Sequence, residues 1–199
     1  NDSDDLYHPN DLNQVQRTDM KNIANLLFEA KILKEIPRSG YHFLGVGKES
    51  VAEHCFSTTF IAYVMSRMEP EIDALKLICM CLIHDLPETR IGDLNTVHKK
   101  YVKADETKAF KDTIERLAFR QDLTNLFDEF NAGRSIEAKL AHDADQLALI
   151  LELKDLMDIG YKPPETWIQN VIGRLQTETG QKIARAVMDT PRDAWWRDE

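Results

Sequence analysis

The stretch LICMCLIHDLPE, residues 77–88, sets seven apolar residues directly against a histidine and an aspartate, with Pro87 two positions further on. Ile72, Leu75, Ile78, Cys79 and Leu82 recur at helical spacing behind Pro70, which predicts a helix from Glu71 to about Leu86, ended by Pro87. Burying the carboxylate of Asp85 beside the imidazole of His84 at the end of that helix costs several kcal/mol without compensation. Partners must therefore come from elsewhere in the chain.

Upstream, VAEHCFSTTFIAYVMSRM reads as a buried helix up to Glu69-Pro70, and it carries His54 thirty residues before His84. A first amphipathic helix is predicted over Asp19 to Ile36, with Ile23, Leu26, Leu27, Ala30 and Leu33 on one face and Pro37 and Gly40 closing it. The loop PRSGYHFLGVGKES joins the two. Downstream, ETRIGDLNTVHKKYVKAD holds no period and reads as an irregular crossover, followed by a charged helix from Asp105 to Arg120 and a shorter one from Asp122 to Phe130. Ile136, Leu140, Ala144, Leu147 and Leu151 predict a central helix running to Gly160. After Pro163-Pro164, ETWIQNVIGRLQ and ETGQKIARAVMD predict two more helices, the last stopped at Thr190-Pro191. No strand alternation or repeat persists. The expected fold is all-α, one helical bundle over 19–190, with a polar N-terminal extension at 1–18 and a tail at 191–199.

With 25 basic and 34 acidic side chains in 199 residues, the formal charge is -9, which disfavours nucleic acid and anionic lipid as partners. A small anionic substrate stays open, because a metal or buried arginine can make a pocket locally positive. Cys55, Cys79 and Cys81 lie in apolar stretches without CxxC spacing and predict reduced core thiols. The acidic, polar start NDSDDLYHPNDLNQ is the opposite of a signal peptide and no apolar run is long enough to span a bilayer, so a cytoplasmic location and no membrane partner are expected.

Asp143 and Asp145 interrupt the central helix, so three helices point ionisable groups inward together with His54 and His84-Asp85. Two imidazoles and two carboxylates suit one divalent ion, Mn, Co, Fe, Ni or Zn, with room for water. The competing reading is hydrogen-bonded structural histidines and surface aspartates. Glu88 follows Asp85 by one helical turn and reads as a general acid or base on water, or as an exposed turn carboxylate. Asp93, beside Gly92, reads as a substrate ligand or a turn cap; Arg38, after Pro37, as a phosphate clamp or a surface residue. GVGKES fails as a P-loop, since His42 stands where a glycine is needed and Glu49 separates Lys48 from Ser50. His8, His42, His98 and His142 complete no ligand spacing, although His142 has a place beside the site.

At AEH54, IHD85, LPE88, GD93 and HDAD145Q the sequence resembles the HD-domain metal-dependent phosphohydrolases, in particular the bacterial 5'-deoxynucleotidases and their eukaryotic relatives, from about Leu26 to Asp158. The resemblance implies His54, His84, Asp85 and Asp145 as metal ligands, Glu88 acting on water, and Asp93 near metal, phosphate or sugar. It favours Asp145 over Asp143 through the Ala144-Asp145-Gln146 setting. One departure is Glu35-Ile36, where the deoxynucleotidases carry Arg-Trp; PRSGY resembles the PRTGW of the eukaryotic-like branch, so Arg38 stands in for the missing arginine. Relatives with this fold are similar in forming homodimers.

The reading is therefore hydrolysis of a nucleoside 5'-monophosphate, a deoxy form by preference, to nucleoside and phosphate. Hydrolysis of another small phosphate ester or a nucleoside triphosphate, and a catalytically silent metal-binding interaction module, are the alternatives. Trp195-Trp196 packs on a neighbouring subunit, covers the domain, or belongs to a loose tail.

Overall fold

The computed structural model describes residues 9–197, with side-chain surroundings from Asp19 onward. Helices run over Pro9–Lys31 (α1), Tyr41–Leu44 (α2), Val51–Met68 (α3), Ala74–Ile83 (α4), Glu88–Ile91 (α5), Glu106–Ile114 (α6), Arg120–Ala132 (α7), Ile136–Asp158 (α8), Pro164–Ile172 (α9) and Glu178–Asp189 (α10). Single 3-10 turns occupy Ile32–Lys34 and His98–Lys100. The fold is all-α: among the described residues there is no strand, only one isolated antiparallel bridge between Pro37 and Ser50.

α8 is the central helix, packed against α3, α4, α7, α9 and α10. Leu140, Ala144 and Leu147 are buried as the periodicity predicts, but Ile136 and Leu151 at the ends of that stripe are 48% and 41% exposed. Neighbours surround α8 on several sides, so Ala138, Ala141, Ala148, Ile150 and Leu153 are buried as well and no single apolar stripe defines it. A second core joins Leu33, Val51, Cys55, Leu86, Phe110, Ile114, Leu117 and Phe127, with Phe110 and Phe127 stacked 4.0 Å apart. Ile23, Leu26 and Ala30 of α1 pack on it while Leu27 stays 65% exposed, so the buried face of α1 is narrower than its apolar content.

Several boundaries differ from the sequence expectation for identifiable reasons. α1 begins at Pro9, inside the stretch expected as a polar extension; His8 lies outside the described residues. α4 starts only at Ala74, because Asp73 caps it by accepting from the Lys76 amide at 3.0 Å. It stops at Ile83, and successive tight turns carry the chain through Leu86 (N–H to Ile83 O, 3.0 Å) and Glu88 (N–H to Asp85 O, 3.0 Å). α6 ends at Ile114, and the turn beyond it buries Leu117. The expected crossover contains α5, and the expected loop contains α2.

Ser50 and Glu53 form a reciprocal capping box on α3: Ser50 Oγ accepts from the Glu53 amide at 3.2 Å and Glu53 Oε2 accepts from the Ser50 amide at 2.6 Å. GVGKES is thus a helix-starting device, and it fixes the rotational setting of His54 in the first turn. At the other end of the chain, Trp195 is 84% exposed and Trp196 60%, so the pair does not cover the domain. The tail is held instead by Arg192, whose amide donates to Asp158 at 2.8 Å and whose Nε reaches Asp155 at 2.8 Å. No described helix is long and apolar enough to cross a membrane.

Candidate metal centre

Three elements meet at the inner end of the bundle. α3 contributes His54 from its first turn, the end of α4 contributes His84 and Asp85, and α8 contributes Asp145 from its third turn. One ligand atom each from His54, His84 and Asp85 lies within 4.8 Å of the others. His54 Nε2 stands 2.9 Å from Asp145 Oδ1 and 3.7 Å from Asp85 Oδ2, and His84 Nε2 stands 3.2 Å from Asp85 Oδ2. Both imidazoles are buried.

The chemistry of this donor set fits a divalent cation. His84 Nδ1 donates to the Cys81 carbonyl at 2.8 Å, which leaves Nε2 as the ring nitrogen that faces the carboxylates and can take a cation in exchange for its proton. His84 Nε2, Asp85 Oδ2 and Glu88 Oε2 are all buried without a hydrogen-bond partner. Orphaned buried acceptors of this kind are rare in folded proteins, and a cation among them satisfies several at once.

Charges around the cluster are strongly coupled. Burial opposes protonation of His84, yet the Asp85 and Asp145 carboxylates outweigh it and lift the imidazole to about 9. Burial likewise opposes ionisation of Asp145, but its hydrogen bond to His54 and the nearby positive groups hold it below the usual carboxylate range. Glu88 is pushed up to about 9 by burial first and then by Asp85 and Asp93. The protons on His84 and Glu88 stand where a cation's charge would act, so metal binding releases protons.

Arg38 does not hang free as a surface residue. Its Nη1 lies 3.6 Å from Asp85 and 3.9 Å from Asp93, and its Nε lies 3.9 Å from Glu49. Burial works against its charge, but Asp85, Asp145, Asp93 and Glu88 hold the guanidinium protonated. Asp93 accepts from the Ser39 amide, tying the 92–93 corner to the start of the 38–50 loop. Gly92 sits at φ 73, ψ 165, a conformation open essentially to glycine alone, and this bend brings Asp93 back toward Arg38. Ile36 packs on the second core and Glu35 is exposed, so the cation near the cluster is Arg38.

All seven sequence-predicted site residues thus converge: His54, His84, Asp85, Asp145, Glu88, Asp93 and Arg38. Asp143 has a different task. Fully buried, it accepts from the Gln176 and Thr177 amides at 2.8 Å each and from Thr177 Oγ1 at 2.6 Å, joining α8 to the start of α10. His142 Nε2 donates to the Phe130 carbonyl at 2.9 Å and its ring stacks on Phe130, which in turn lies 5.4 Å from the His84 ring, so it supports the site from one layer behind. His42 and His98 stay exposed, away from the cluster.

Sequence reasoning missed Glu49, Tyr41 and Glu152. Tyr41 Oη donates to Glu152 at 2.8 Å, and Glu49 is pushed up to about 7 by burial and then by Glu152. Glu152 lies two turns beyond Asp145 on α8, the one local signal that could have found it. Glu49, Glu53, Glu152, Lys34, Lys48 and Phe56 line a cleft of about 610 Å³ that shares its Glu49 wall with Arg38.

An HD domain model matches residues 30–187. The chain belongs to the HD domain family. It is 29% identical over 176 residues to the mouse protein named 5'-deoxynucleotidase HDDC2, covering 77% of this chain and 86% of that one. With the human protein of that name it is 28% identical over 137 residues, 66% of each chain. Among solved structures, a conserved hypothetical protein from Pyrococcus furiosus superposes with a TM-score of 0.73 at 29% identity, covering 84% of this chain and 99% of that one. The HD domain is a metal-dependent fold, and its two-histidine, one-aspartate cluster is present here.

Proposed function

We propose that this HD domain is a metal-dependent 5'-nucleotidase that hydrolyses nucleoside 5'-monophosphates, deoxynucleotides by preference, to nucleoside and inorganic phosphate. The observation that carries the reading is the convergence of His54, His84, Asp85 and Asp145 with an orphaned, buried Glu88 carboxylate beside them. The similarity to proteins named 5'-deoxynucleotidase supports the substrate class.

In this proposal the two imidazoles and the Asp85 and Asp145 carboxylates hold one divalent ion, of Mn, Co, Fe, Ni or Zn. When bound, such an ion lowers the pKa of water and offsets charge on the phosphoryl oxygens. Glu88, ionised once a cation offsets the neighbouring carboxylates, would take a proton at Oε2 from the water that attacks phosphorus. The P–O5' bond breaks as the new P–O bond forms, and the leaving alkoxide receives the proton that Glu88 took. Arg38 offers Nη1 to a phosphoryl oxygen while Asp85 and Asp93 keep its plane oriented. Asp93, held by the Ser39 amide, accepts from a sugar hydroxyl.

We also propose that the protein acts as a cytoplasmic homodimer, its catalytic domain at 19–190. Phe56 stacks on Phe60 and Phe60 meets Tyr63, an exposed aromatic stripe on α3 suited to a second copy. Cys55 and Cys81, buried and without a disulfide, are compatible with a reducing compartment.

Phosphate release across ribo- and deoxynucleoside monophosphates, after chelation and reloading with each metal, tests the reading. Release from deoxynucleotides that depends on the added metal supports it. A fully loaded protein that releases phosphate from none of them overturns it.

A further inference from the structure

We infer that Glu29 is a positioning residue for Glu88 and Asp93, because its carboxylate on α1 pins the single turn, α5, that runs between them. Glu29 Oε1 accepts from Arg90 Nε at 2.5 Å and from Thr113 Oγ1 of α6 at 2.8 Å, with Thr89 Oγ1 at 3.3 Å, and Oε2 accepts from Arg90 Nη2 at 3.1 Å. The inference rests on the catalytic reading of Glu88 given above.

The turn needs such a clamp. α5 is four residues long and has no side-chain cap, and apart from the Glu88 carboxylate it is at most partly buried. A lone helical turn does not hold itself in water, since nucleating it orders several dihedrals for few hydrogen bonds. Leu86 anchors the chain on the near side, and Asp93 on the Ser39 amide anchors it on the far side. Between these, Arg90 is the residue of the turn that makes a two-pronged contact with another helix. Because Arg90 follows Glu88 by two residues and precedes Asp93 by three, its fixing sets the direction of both carboxylates. The hydrogen bond from Arg90 holds the Glu29 carboxyl below the usual range, so the fork is charged on both sides at neutral pH. Glu29 is not among the candidate metal ligands, and its contacts run to α5 through Arg90 and Thr89 and to α6 through Thr113.

The test uses the full chain, metal-free and metal-loaded, as wild type, Glu29→Gln, Glu29→Ala and the swap Glu29→Arg with Arg90→Glu. Hydrogen exchange in peptides covering 86–93 should become roughly tenfold faster in the single variants, the loss of a charge-assisted hydrogen bond, while α3, α4 and α8 keep their protection. In the same samples kcat should fall roughly 10- to 100-fold with metal content unchanged, and the swap should recover part of both losses. Unchanged exchange at 86–93, exchange raised equally throughout the chain, or local loosening with wild-type kcat would each overturn the inference. A wild type with no turnover on any nucleotide removes the catalytic reading and the positioning claim with it, whereas failure of the clamp alone leaves wild-type turnover intact.

Discussion

Asp143 and Asp145 stand two residues apart on α8, and replacing each by alanine should produce opposite phenotypes. Asp143→Ala removes the acceptor for the Gln176 and Thr177 amides, while Thr177 Oγ1 keeps a role as acceptor for the Gly180 amide at 2.9 Å. The buried Thr177 amide left unsatisfied, at about 1–3 kcal/mol, and the lost part-buried bond from Gln176, at about 1 kcal/mol, put the destabilisation at about 2–4 kcal/mol. For a chain of this size that corresponds to a melting temperature lower by about 4–16 °C. The wild-type fit is close, since a Cβ at Gly180 would run into the Asp143 carboxylate, and glycine there supplies no side chain to fill the space left by the variant. Asp145→Ala removes a side chain that is 26% exposed and bonded to His54, so the metal-free protein should lose less stability, but its metal affinity should collapse. Thermal melts of the metal-free variants, paired with elemental analysis of folded, metal-loaded samples, give both readouts. The reasoning fails if Asp143→Ala melts within about 3 °C of wild type, or if it loses metal while Asp145→Ala retains it.

Two further outcomes follow from the geometry. Glu88→Gln should keep bound metal and lose roughly 10²- to 10⁴-fold in kcat, measured by phosphate release; full activity with metal bound would remove Glu88 from the chemistry. Glu49, raised from 4.5 to about 7 by burial and Glu152, takes up a proton more readily folded than unfolded. Its contribution to stability is therefore complete below about pH 4.5 and lost as pH rises through about 7, so Glu49→Gln should flatten that decline by about 3 kcal/mol in denaturant titrations. A parallel pH profile in the variant would contradict the assignment.

The metal cluster was legible because apolar runs that end in ionisable groups demand a partner. LICMCLIHD could not bury His84-Asp85 alone, and His54 and the 143–145 aspartates were the other ionisable groups inside apolar helices. Choosing between Asp143 and Asp145 needed the family resemblance, since a helix rotates the two by about 200° and residue type alone does not say which way either faces. The lengths of α4 and α6 were overestimated because apolar periodicity continues past the point where Asp73 caps one helix and a tight turn to Leu117 ends the other. Leu27 shows the same limit from the other side: an apolar residue in an amphipathic helix need not meet a neighbour. The Glu29 fork was hidden because it pairs residues 61 apart on a polar surface, where spacing carries no signal.

The central claim is that the buried histidine and carboxylate cluster holds a metal used to cleave a nucleoside monophosphate. Its most direct measurement is phosphate release from chelated protein titrated with a single divalent metal, on a deoxynucleoside 5'-monophosphate, for wild type and His84→Ala together. The account predicts that wild-type turnover is absent without metal, rises to saturation at about one equivalent, and is missing in His84→Ala at every metal concentration. Equal turnover in the chelated and reloaded wild type, or wild-type turnover in His84→Ala, would contradict it.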